Sequence, residues 1–314
     1  HDLGHAPYSH VLEKELLPNI THEAVSLLMM RRINLDLRGE LALSISIFKN
    51  EYPKLFLHQL ICSQLDMDRL DYLCRDSFYT GVREGTIGAE RLIKMLQVED
   101  DCLAVDAKGI YTVENYLMAR RLMYWQVYLH KTAVAGEETL RLALQRAKEL
   151  SANGEKLFAS PALSHFLTKN ITVEEFEDNP NHLDMYAQLD DSDILCAMKV
   201  WQNSDDLILS ILASNFVNRH FFKVEICTGG VDKERVWNYK QEIVQRLGVS
   251  ITDADYFVRT VAVKKEMYST TSQGIRLISP DGDVQDLASV SNIVRNETIE
   301  AVEQKFYLLK LRLD

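Results

Sequence analysis

Apolar residues recurring at three- and four-residue spacing dominate the first two thirds of the chain, and a core-facing stripe of that period commits a backbone to α-helix. The pattern is plain over residues 23–32, 55–76, 88–97 and 114–135. The last of these is the strongest: residues 115–133 contain neither Pro nor Gly, and Gly136 is the expected stop. A second long helix is expected over 137–152, where a leucine-rich face opposes charges and Asn153-Gly154 supplies the exit. Thr172-Val-Glu-Glu reads as a capping-box start, and Asp191-Ser-Asp introduces a further helix over 194–201.

After Arg219 the texture changes. Residues 221–227 and 256–264 are β-rich, 233–247 are helical, and Pro280-Asp281-Gly282 marks a hairpin turn after 274–279. Residues 305–313 read as a closing strand. The expected fold is therefore mainly α, with a helical portion over 1–218 and a smaller C-terminal α+β region over 219–314.

Composition limits the function classes. No apolar stretch approaches the ~18 residues a membrane-spanning helix needs. Five cysteines, an odd number without a CxxC pair, suggest neither a disulfide framework nor a thiolate zinc site, which fits a reducing cytoplasm. A net charge of −11 argues against a general electrostatic grip on nucleic acid, so any phosphate-bearing ligand must be held by local cations. The sequence opens at His1 without a Met, and further chain is expected upstream.

Two segments concentrate chemistry. His1-Asp2-Leu3-Gly4-His5-Ala6-Pro7-Tyr8-Ser9-His10 is dense in side chains able to hold a cation through mixed nitrogen and oxygen donors, a set suited to Mn, Mg, Fe, Ni or Zn. Residues 63–76 set acidic and basic groups on a helix in which Asp68, Tyr72, Arg75 and Asp76 share a face. Further on, Arg120, Tyr124 and Tyr128 repeat every four residues with Lys131 a turn beyond. The bland alternative for both helices is an amphipathic surface with internal ion pairs and packed aromatics.

Four ordered motifs together resemble the HD-domain phosphohydrolases, in particular their deoxynucleoside triphosphate triphosphohydrolase branch: HDLGHAPYSH, Thr21-His22-Glu23, DMDRLDYLCRD followed by Gly81, and ARRLMYWQVYLHK ending at Lys131. The resemblance covers about the first 135 residues and implies an HD-domain helical bundle. It implies that His1, Asp2 and Asp68 ligate a divalent metal ion, with a fourth ligand, a histidine, upstream of His1. It also implies that His10 and His22 lie beside the scissile phosphate with Glu13 orienting His10. Arg69 and Arg120 would neutralise phosphate charge, while Tyr72, Asp76, Tyr124, Tyr128 and Lys131 would contact substrate. His5 is assigned only packing or support. The implied reaction converts a deoxynucleoside triphosphate to deoxynucleoside and triphosphate in a homodimer or homotetramer, with an activating nucleotide in some relatives. Hydrolysis of another nucleotide or phosphoester, or nucleotide sensing without turnover, are the alternatives.

Overall fold

The computed structural model describes residues 1–227, 229–265, 268, 274–294 and 303–313; Asn296-Glu-Thr298, whose sequence fits an N-glycosylation pattern, lies outside them. The described chain is mainly helical, with two small sheets. Two compact units are interleaved along the sequence: residues 1–41, 131–262 and 305–314 form one, and residues 42–130 and 263–304 the other. The boundary near 218 follows a change in composition, whereas these units follow contacts.

In the first unit, helices His10–Leu16 and His22–Asp36 follow the amino-terminal loop, and Thr21 caps the second through a bond from the Ala24 amide. The long helix Lys131–Ala152 packs on Leu207–Val217 and on His10–Leu16. Gly136 does not end a helix, contrary to the sequence expectation. It lies inside Lys131–Ala152, where an added β-carbon would meet the Phe221 ring at 3.4 Å, an ordinary contact. The expected capping box at Thr172 forms, with Glu175 returning a bond to the Thr172 amide. The box before residues 194–201 is built by Asp190 and Asp193.

The second unit opens with shorter helices. The apolar run over 55–76 is interrupted: one helix covers Leu55–Gln59 and another Met67–Thr80. Asp66 causes the restart, because its side chain accepts the amides of Ser63 and Arg69 and so caps the second helix. Strands β1 (Leu96–Glu99) and β2 (Cys102–Asp106) form a hairpin that the sequence reading missed. Its two-residue turn is Asp100-Asp101, both at positive φ (50° and 57°), the geometry that suits the twist of paired strands.

Strand β3 (Lys223–Cys227), β4 (Val258–Lys265), β5 (Arg276–Ile278), β6 (Val284–Asp286) and β7 (Glu303–Lys310) complete the sheets, ordered β1-β2-β5-β6 and β3-β7-β4. The expected hairpin at 280–282 is the β5–β6 connection, and the expected closing strand is β7, central in its sheet.

Candidate functional site

The amino-terminal loop owes its shape to Gly4. A β-carbon there would sit 2.2 Å from the His22 carbonyl oxygen and 2.4 Å from the Ser26 amide nitrogen, so only glycine lets the loop lie against the helix His22–Asp36. Three bonds fix it: the Gly4 amide donates to Ser26 Oγ at 2.8 Å, Ser26 Oγ donates to the His1 carbonyl at 2.6 Å, and the Tyr186 hydroxyl donates to the Gly4 carbonyl at 2.8 Å. Tyr8 and Ser9 then adopt left-handed backbone (φ 56° and 50°), a conformation costly for side-chain-bearing residues. Asp191 holds the turn by accepting the Tyr8 amide at 2.9 Å.

This loop places His1 Nε2 3.1 Å from Asp2 Oδ1, and His5 Nε2 3.4 Å from the same oxygen. The donors are an imidazole nitrogen and a partly exposed carboxylate oxygen, a mixed N/O set that fits a divalent ion. Behind them, His5 stacks on His22 with ring centroids 4.2 Å apart, and His10 meets both edge-on. Glu13 bridges two of the rings: Oε2 lies 3.0 Å from His10 Nδ1, Oε1 lies 3.2 Å from His22 Nδ1, and Oε1 also accepts the His22 amide. Burial pushes the Glu13 carboxyl up, but the bonds from His10 and His22 outweigh it and hold the group below its ordinary value. For His5, burial and then the neighbouring His22 lower the imidazole pKa, and its Nδ1 is buried without a hydrogen-bond partner among the described residues. His5, His10 and His22 thus form one cluster of converging nitrogens.

In the second unit, helix Met67–Thr80 carries Asp68, Arg69, Tyr72 and Asp76 in consecutive turns. Arg69 is held by Asp66 and by the Ser63 carbonyl, so its guanidinium is fixed rather than freely swinging. Burial pushes the Asp66 carboxyl up, opposed by its bonds to Arg69 and Ser63. Arg75 pairs with Asp71 at the surface, the internal ion pair that the bland reading anticipates. The Tyr128 hydroxyl donates to Asp76 Oδ2 at 2.6 Å, and Tyr72 and Tyr124 each meet the Tyr128 ring edge-on. Burial first, then the neighbouring acceptors, raises the hydroxyl pKa of Tyr128, and burial with Tyr124 does so for Tyr72. Both stay protonated as donors. The Arg120 guanidinium lies over the Tyr116 ring.

Residues 87–160 match the model of an HD associated region. The structure aligns with that of a phosphohydrolase from Bacteroides thetaiotaomicron over 99% of this chain and 77% of the other, with a TM-score of 0.94 and 50% identity. This chain belongs to the HD-domain phosphohydrolase family. Uncharacterized protein YwfO of Bacillus subtilis is 34% identical over 236 residues, covering 71% of this chain and 51% of that protein. A deoxynucleoside triphosphate triphosphohydrolase SAMHD1 homolog of Dictyostelium discoideum is 27% identical over 175 residues, half of this chain and 34% of its own length. The chain spans about half the length of the first of these curated relatives.

Within this HD-domain phosphohydrolase, the expected strip from Arg120 to Lys131 is corrected. Helix Ile110–Met123 passes into a wider π-turn over Tyr124–Tyr128 and stops, and Lys131 begins a separate helix. Five-residue turns break the four-residue register, so Lys131 does not extend the Arg120, Tyr124, Tyr128 strip. His5 has the packing and supporting place expected of it, stacking on His22 and meeting the Asp2 carboxylate. Its position inside the HD motif was the available signal; Tyr186 and Asp191, which hold the loop from far along the chain, carried none.

Proposed function

We propose that this HD-domain phosphohydrolase hydrolyses deoxynucleoside triphosphates to deoxynucleoside and inorganic triphosphate, with His1, Asp2 and Asp68 holding a divalent ion of the Mn, Mg, Fe, Ni or Zn class. When bound, such an ion polarises a phosphoryl oxygen and acidifies a water. The observation that carries the reading is the arrangement of Glu13 between His10 and His22, which orders two imidazoles beside the His1-Asp2 pair. An ordered imidazole is suited to protonate the departing deoxynucleoside oxygen, and His10, 70% exposed, is the accessible candidate.

Arg69 and Arg120 neutralise the phosphates, with Arg69 pre-aimed by Asp66. Tyr72, Tyr124 and Tyr128 form an aromatic wall, and Asp76, which accepts the Tyr128 hydroxyl, takes a sugar hydroxyl. The likeness to a protein named as a deoxynucleoside triphosphate triphosphohydrolase homolog supports this substrate class. The proposal extends to a homodimer or homotetramer, an activating nucleotide and a cytoplasmic setting. Among the described residues no helix is long and apolar enough to cross a membrane.

The test is product analysis with added divalent ions, beside an Asp68→Ala variant. Triphosphate released by the parent, with turnover reduced at least about a hundredfold in the variant, is the expected result. Orthophosphate as the sole product overturns the dNTP reading, and equal turnover in both proteins overturns the metal assignment.

A further inference from the structure

Within the compact unit that holds the amino-terminal loop, helices Pro161–Thr168 and Pro180–Ala187 meet through two imidazoles: His165 Nε2 lies 2.7 Å from His182 Nδ1. At that separation one nitrogen carries a proton and the other a lone pair. Asn179 decides which. Its Oδ1 accepts the Asn181 amide at 3.2 Å, which turns the Nδ2 donor toward His182 Nε2 at 3.3 Å. His182 therefore accepts at Nε2 and donates from Nδ1, and His165 accepts at Nε2, so both rings are neutral. A further proton on either ring leaves two donors face to face, between His165 and His182 or between His182 and Asn179. The pair can ionise only by coming apart.

The surroundings do not welcome a charge. His182, 8% exposed, packs against Phe176, and His165 against Phe166. Burial, then Lys169 and His182, hold the His165 imidazole below its ordinary value. Charged groups on the packed elements are engaged or face solvent. On helix Val173–Asp178, Glu175 accepts the Thr172 amide and Glu177 pairs with Arg31, while Glu174, Asp178 and the neighbouring Asp184 are exposed. On Lys131–Ala152, Lys148 donates to the Glu15 carbonyl and Glu149 pairs with Arg146. On Asp191–Trp201, Asp191 accepts the Tyr8 amide, Asp193 accepts the Asp190 amide and Lys199 is exposed. One turn after His182, on the same side of its helix, buried Tyr186 packs edge-on against Phe166 and Phe176 and gives its hydroxyl to the Gly4 carbonyl. A displacement of Pro180–Ala187 at His182 is therefore a displacement of the tyrosine that holds the loop.

We infer that the His165–His182 pair is a proton-operated latch on the amino-terminal loop: mild acidification parts helices Pro161–Thr168 and Pro180–Ala187 and withdraws Tyr186 from Gly4. The closed pair binds fewer protons than the parted one, so the latch is full above the ordinary imidazole value near 6.5 and is lost as pH falls below it. Each histidine freed to ionise favours the open state by about tenfold at pH 5.5. The release of the loop is a property of the chain itself. Its consequence for turnover, loss of the aim of His1 and Asp2, rests on the metal reading proposed above.

Amide hydrogen exchange on the full chain tests it, with residues 4–9 followed as protection factors at pH 7.5 and pH 5.5 so that the intrinsic pH dependence of exchange cancels. The proteins are the parent, His182→Gln, His165→Gln and Tyr186→Phe. A glutamine at 182 can donate to His165 and accept from Asn179, reproducing the neutral ring without its basic site; His165→Gln offers His182 a carbonyl and decides the matter if the buried substitution does not fold. Loop protection in the parent should fall about tenfold or more on acidification, change little in the glutamine variants, and already be low at pH 7.5 in Tyr186→Phe. Parent protection that ignores pH, or a Tyr186→Phe loop as protected as the parent's, would overturn the latch. An equal fall in the parent and the glutamine variants would assign the effect to the loop's own histidines and equally refute it. A fall in protection confined to the parent, with divalent-ion affinity undiminished, supports the latch and counts against the metal reading instead.

Discussion

Replacing Gly4 by alanine puts a methyl group into space already filled by backbone. The added carbon would meet the His22 carbonyl at 2.2 Å and the Ser26 amide nitrogen at 2.4 Å, more than an ångström inside normal contact, and neither atom can rotate away as a side chain would. Relief requires the loop to lift from helix His22–Asp36. Overpacking of this kind costs typically about 1–3 kcal/mol. Lifting also breaks the Gly4 amide bond to Ser26 Oγ, worth about 1 kcal/mol. The expected loss is about 2–4 kcal/mol, a large part of the 5–15 kcal/mol typical of a folded domain. Urea unfolding reads it as a midpoint lowered by roughly 1 M for a slope near 3 kcal/mol/M. Because Ser26 Oγ also donates to the His1 carbonyl, divalent-metal affinity should fall together with stability. Gly136→Ala is the matched control. Its added carbon meets only the Phe221 ring at 3.4 Å, an ordinary contact, and helix propensity favours alanine by up to about 1 kcal/mol. A Gly4→Ala protein with parental midpoint and metal affinity would refute the account of the loop.

Three further outcomes are expected. Asp66→Ala removes a helix cap and strands a half-buried Arg69, for a loss of about 2–4 kcal/mol read by urea unfolding, while Asp71→Ala at the exposed Arg75 pair leaves the midpoint nearly unchanged. Tyr128→Phe deletes the 2.6 Å bond to Asp76 and should cost about 1.5–3 kcal/mol by the same measurement, the range for a bond to a charged acceptor. Through His5 and Glu13, whose folded forms release protons more readily than the unfolded chain, acidification should lower the melting temperature, against the opposite pull of Asp66 and Glu137, whose desolvated carboxyls hold their protons more tightly. The His5 contribution, full above its ordinary pKa near 6.5, is lost as pH falls below it; that of Glu13 is lost below about 4.3. A melting temperature that climbs between pH 7 and pH 4 contradicts this.

Much of the fold was legible because one physical signal, apolar periodicity, survives in long helices such as Lys131–Ala152 and Lys233–Leu247. It fails where a local polar bond decides the backbone. Asp66 restarts a helix inside a continuous apolar pattern, and nothing in the period of residues 55–76 announces it. The β1–β2 hairpin was hidden because Asp100-Asp101 lacks the glycine that usually marks a tight turn, and short strands carry little pattern. Gly136 misled because glycine ends helices more often than it sits within their first turns. At the candidate site, the HD motif named the side chains proposed to hold a cation, and the three-residue offset of His10 and Glu13 foretold their contact. The stacking of His5 on His22 and the grip of Tyr186 on Gly4 depend on how distant segments pack, which no local spacing records.

The tethering of the amino-terminal loop by Tyr186 and Asp191, each more than 180 positions downstream, bears on the order of assembly. Closing so long a span carries an entropic cost that grows with the logarithm of its length. The loop should therefore settle only after the downstream helices are in place, making it a latecomer to the folding transition. Substitutions at these anchors should accelerate unfolding while leaving the refolding rate nearly untouched.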